Sequence, residues 1–131
     1  MSGAPSGFNT GRVRNAYAHD AVVLLDPGGD ERAVGAAITV ELCGGWEHPP
    51  PCPLAPHHTR SHLTDGLVRV RVLFATEPER EAEVRAGIDA ALGRGGLTGP
   101  DGVRTNWQLH DSCGGTVEAE EVTHAQRLVE S

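Results

Sequence analysis

Hydrophobic and polar positions along the chain fall into short blocks separated by dense turn chemistry. Ala21–Leu25, AVVLL, is a continuous apolar run of the length that suits a buried strand. DPGGD at 26–30 follows it and predicts a turn, since Pro presets φ and Gly accepts positive φ. From about Arg32 to Leu42 the alternation places Val34, Ala36, Ile38, Val40 and Leu42 on one face, with Ala37, Thr39 and Glu41 on the other. That pattern predicts a second strand, paired with the first as a hairpin. Residues 43–66 hold five prolines and predict a long irregular loop, of the kind that is usually functional or disordered. A third strand is expected over Leu67–Phe74, with Val68, Val70, Val72 and Phe74 facing the core and Arg69 and Arg71 facing water.

The clearest element is a helix from Glu77 to about Arg94. Thr76 is the expected N-cap, Glu79 its capping-box partner and Pro78 a first-turn residue. Val84, Ile88, Ala91 and Leu92 make the apolar stripe, Glu81 can pair with Arg85, and Gly93, Gly95 and Gly96 end the helix. LTGPDG then turns into a fourth strand, Val103–His110, which DSCGG at 111–115 is expected to break. A last helix runs from about Glu118 to Val129, with Val122, Ala125 and Val129 as its buried stripe and acidic residues in its first turn. The order is β-β-β-α-β-α. The expectation is an α+β two-layer sandwich with two helices on one face of a largely antiparallel four-stranded sheet. The nearest common architecture is ferredoxin-like or similar, although no helix is read after the first strand. Residues 1–18 read as a mobile tail, and 19–131 as a single domain carrying the 43–66 loop.

Composition narrows the chemistry. The chain has 131 residues, 38% hydrophobic, and only five of them are Phe, Trp or Tyr, so the core is thin and rich in Ala and Val. All eleven basic side chains other than His are Arg, which fits the codon bias of a GC-rich gene. A net charge of −7 argues against nucleic acid or an anionic membrane as partner. No segment reaches membrane-spanning length, the N-terminus lacks an apolar signal core, and three cysteines give no disulfide framework. The expected setting is the cytoplasm.

Six possible metal ligands lie within residues 43–62: Cys43, His48, Cys52, His57, His58 and His62. Thiolate and imidazole together suit zinc, and four such donors make a closed tetrahedral site. Cys43, His48, Cys52 and His57 are the expected ligands, with His58 as the exchangeable alternative. The spacing matches no standard zinc signature, and Pro-Cys-Pro restricts how Cys52 turns inward. The alternative is a loop packed by Trp46, Leu54 and prolines, its histidines at the surface.

A second cluster is His110-Asp111-Ser112-Cys113, where Cys113 could be a nucleophile with His110 as base, or Ser112 could work with His110 or His124. His110 or Cys113 could also complete a metal site begun in the loop. The competing reading is a turn, with Cys113 small and buried. DPGGD and GRGG lack the surroundings of nucleotide-binding loops, while Glu77, Glu79, Glu81 and Glu83 form a solvated face. His19 and His124 read as surface or capping residues. Three functions follow: a zinc-binding protein with a structural or regulatory metal, a metal-free homo-oligomeric (dimeric) interaction module, and a small enzyme using Cys113 or a loop histidine.

Overall fold

The computed structural model describes residues 13–43 and 55–130, with position 43 described by its backbone alone. Five strands form one sheet: β1 (Asn15–Leu25), β2 (His57–Thr64), β3 (Leu67–Thr76), β4 (Gly96–Thr98) and β5 (Arg104–Gly115). Their order is β2-β3-β1-β5-β4, and every neighbouring pair is antiparallel. The three α-helices are α1 (Arg32–Cys43), α2 (Glu81–Gly93) and α3 (Val122–Val129). The 3-10 turns Pro78–Arg80 and Ala119–Glu121 lead into α2 and α3. The protein is therefore α+β, but it is not the four-stranded, two-helix ferredoxin-like sandwich read from sequence. The sheet has five strands and curls, and helices occupy both of its faces.

The largest correction lies at 32–43, a helix where alternation predicted a strand. Val34, Ile38 and Leu42 satisfy both periods, so the residues between them decide. Ala37 is buried, whereas Ala36 and Val40 are only half-buried, which completes the helical stripe 34-37-38-42. Asp30 stabilises the start, since its carboxylate accepts from the Arg32 amide (3.0 Å) and its own amide donates to the Thr105 hydroxyl (3.3 Å). The DPGGD turn, with Gly28 at φ 79°, therefore leads into a helix rather than a hairpin.

The second correction concerns the expected 43–66 loop, whose last third is strand. His57–Thr64 pairs along its whole length with β3 across the turn at Asp65 (φ 52°) and Gly66 (φ 81°). Asp-Gly at two positive-φ positions is the turn that matches strand twist. Three further differences are smaller. β1 takes in Asn15–Ala18, four residues of the expected tail. β5 continues through 111–115, and β4 lies within the expected turn. Thr76 ends β3 instead of capping a helix, and the 3-10 turn begins after Glu77.

One face of the sheet packs against α1 and α2. Val23, Val68, Val72 and Phe74 from the strands meet Val34, Ile38, Leu42, Val84, Ile88 and Leu92 from the helices. Trp107 closes this core, and its indole N–H donates to the Leu92 carbonyl at 2.9 Å, satisfying one of the orphan acceptors at the end of α2. The other face is roofed at one end by α3, where Leu128 packs with Ala18, Leu73 and Ala75. Among the described residues no helix is long and apolar enough to cross a membrane.

Candidate functional site

Beyond α3 no other described residues cover the second sheet face, leaving a recess of about 680 Å³. Antiparallel register arranges its floor in cross-strand rows. The first row reads Arg60, Arg71, Asp20, Cys113 from β2 across β3 and β1 to β5. The second reads His62, Arg69, Val22, Asp111. Cations thus stand on the β2–β3 side and carboxylates on the β1–β5 side.

The first row is internally neutralised. The Arg71 guanidinium donates to Asp20 (2.8 Å) and to both Glu121 oxygens (2.8 Å each), and Arg60 reaches the same Glu121 at 3.2 Å. Glu121 descends from the turn before α3 and is almost wholly buried. Its ion pair with Arg71 holds its carboxyl down at about 2, while Arg71 is held above its ordinary value chiefly by the same bond. The second row is not neutralised. Arg69 and Asp111 are exposed and make no hydrogen bond or ion pair among the described residues, and half-buried Val22 lies between them.

A Ser-His-Asp group does assemble, though not from the residues that sequence proximity suggested. Ser112 on β5 meets His19 on β1 and Asp89 on α2, not His110 or His124. His19 Nε2 lies 2.8 Å from Ser112 Oγ and 3.3 Å from Asp89, and the Ser112 hydroxyl donates to Asp89. On the other side of the ring, Arg85 Nη1 lies 3.0 Å from His19 Nδ1 and donates to the Ala18 carbonyl at 2.8 Å. Arginine cannot accept, so Nδ1 is the acceptor and Nε2 carries the ring proton. Proton donation therefore runs Arg85 to His19 to Ser112 to Asp89. A catalytic triad needs an unprotonated Nε2 facing serine, and here that nitrogen is the donor. Burial first, and Arg85 among the charges, holds His19 below its ordinary value and keeps it neutral. The network ties α2 to two strands.

Of the expected zinc ligands, His48, Cys52 and the Cys43 side chain lie outside the described residues. His57 and His58 stand side by side on β2, so their side chains leave opposite faces of the sheet. His57 Nδ1 lies 3.2 Å from the Ala55 carbonyl, to which it donates, leaving Nε2 to accept from the Thr39 hydroxyl at 3.1 Å. Burial holds its ring below the ordinary value. His58 instead packs on His124 of α3, with ring centroids 4.4 Å apart. His62 lies in the recess. No group of three His, Cys, Asp or Glu side chains that could hold a metal occurs among the described residues. Cys113 is exposed in the recess, and no hydrogen bond joins it to His110.

Sequence reading missed His19, Asp89 and Arg85, which lie far from Ser112 along the chain. The one local signal was the polar row Glu81, Arg85, Asp89 flanking the apolar stripe of α2, and the Arg85–Glu81 pair does form at 2.8 Å. No protein-family model, curated protein or solved structure matches the chain.

Proposed function

We propose that this protein is a non-catalytic binding domain whose ligand occupies the recess beside α3. The ligand is a small dipolar molecule, with an oxyanion at one end and a cationic group at the other. One observation carries the reading: Arg69 and Asp111 face the same recess without partners among the described residues, separated by Val22. Two strand spacings, roughly 10 Å, separate their backbones, so a bridging molecule suits them better than a direct bond. The volume lies in the range of small-molecule sites. Edge pairing through β2 is disfavoured, because Arg60 brings a permanent charge to that edge. The donor polarity at His19 supports binding rather than serine chemistry.

γ-Aminobutyrate serves as the test probe, with butyrate and butylamine as single-charge controls. Titration of ¹⁵N-labelled protein at pH 7.5 is expected to give saturable shifts at Val22, Arg69 and Asp111 with the dipolar probe and weaker ones with either control. Arg69→Gln and Asp111→Asn each abolish the preference. Equal responses to all three compounds, or shifts confined to other surfaces, overturn the reading. A concentration-dependent mass that collapses in Arg69→Glu would put a second copy of the chain in place of the ligand.

A further inference from the structure

The helix that covers the sheet next to the recess is lightly attached. α3 has eight residues and buries two side chains, Ala125 and Leu128; Leu128 packs with Ala18, Leu73 and Ala75, and half-buried Val129 lies against that cluster. Its entry turn is anchored by Glu121 on Arg71 and Arg60. Between anchor and apolar contact, His124 of α3 lies against His58 of β2, with centroids 4.4 Å apart and planes at 53°.

We propose that the His58–His124 pair is a proton-operated latch: neutral rings hold α3 on the sheet, and two charged rings release it and extend the recess over Ala18 and Leu73. This regulation rests on the recess being the binding site. Two uncharged imidazoles pack favourably, whereas two imidazolium rings at this separation repel.

The charges around the pair favour release. Arg60 on β2, two residues from His58, and Arg71 on β3 are permanent cations. Asp20 on β1 and Glu121 are already bound to those arginines, and Glu118 and Glu121 are engaged in the capping box. Glu130 on α3 accepts from Gln126, and Glu120 is exposed. Burial, then His124 and Arg60, holds the His58 ring below 6.5. A histidine lowered in the folded state contributes stability that is complete above 6.5 and lost as pH falls below it. Glu121 stays ionised far below that range, so its bridge persists and α3 swings about its N-terminal end. Release uncovers Ala18, Leu73 and Ala75 beside the charged rows.

Hydrogen exchange of the full chain at pH 7.5 and 5.0, corrected for the intrinsic pH dependence of exchange, tests the latch. Protection of residues 122–129 is expected to fall about tenfold at pH 5.0, as like charges about 4 Å apart at a partly wet surface imply. Protection of β1 and α2 stays unchanged. His124→Phe and His58→Phe keep a ring contact without the second charge, and both are expected to hold α3 at pH 5.0. Unchanged protection in the wild type, equal loss in both variants, or simultaneous loss in β1 and α2 overturns the latch. Probe shifts at Val22, Arg69 and Asp111 at pH 7.5 report on the recess separately. Their absence removes the binding reading and leaves the exchange result standing.

Discussion

The two faces of one sheet show opposite solutions to the same problem. On the first, α1 and α2 cover strands of small aliphatic residues, and Phe74, Ile38, Leu42, Ile88 and Leu92 are fully buried. On the second, a single short helix among the described residues covers one end, and the floor beside it carries Arg60, His62, Arg69, Arg71, Asp20 and Asp111. The first face supplies stability by removing apolar area from water. The second supplies less, and among the described residues its charges are arranged in register without all being paired. Arg69 and Asp111, which have no partner among the described residues, are the groups on which the proposed binding rests.

The comparison is broken most directly by truncating one residue on each face. Ile38→Ala is expected to cost about 3–4 kcal/mol in urea unfolding, and Leu128→Ala about 2 kcal/mol, because α3 can settle into the space left behind. Equal costs would mean that α3 belongs to the main core. Next in size is Glu121→Gln, expected to cost about 2 kcal/mol as the charged hydrogen bonds to Arg71 weaken. Its pH dependence follows from a carboxyl held down at about 2. The stabilisation is complete above the ordinary value near 4.5 and is lost as pH falls from there towards 2. Glu121→Gln is expected to remove that part of the acid limb, and a pH–stability profile identical to that of the wild type would contradict the bridge.

Smaller still is Ser112→Ala, which removes the middle of the relay and is expected to cost about 1 kcal/mol. A fluorophosphonate probe is expected to leave Ser112 of the wild type unlabelled, because His19 donates to that hydroxyl. Stoichiometric labelling would reverse the proton assignment. Smallest are Arg69→Gln and Asp111→Asn, each expected to change stability by no more than about 0.5 kcal/mol, as exposed surface side chains do. A larger loss would make them structural rather than recognition groups.

Much of the fold was legible one element at a time. The alternation of β3 and the stripe of α2 predicted the buried residues Val68, Val70, Val72, Val84, Ile88, Ala91 and Leu92. At 32–43 local pattern was not enough, since Val34, Ile38 and Leu42 fit either period. The HHTRSHLT segment resisted reading because an edge strand exposed on both faces carries no hydrophobic alternation. Its Asp-Gly turn was the available sign. At 111–115, small residues look like a breaker in isolation, yet β1 supplies backbone partners that keep the strand going. The zinc reading drew on residues close in sequence, and of these His57 proves committed to Thr39 and Ala55.

What the sequence determined by itself was periodicity, turn chemistry and net charge, since each is a property of residues within one or two turns of one another. Tertiary structure alone decided which strands neighbour, and therefore that His19, Asp89 and Ser112 meet and that Arg69, Val22 and Asp111 share a row. The physical reason is register: side chains alternate across a sheet with period two, so cross-strand neighbours depend on pairing between distant segments, and no local signal encodes it.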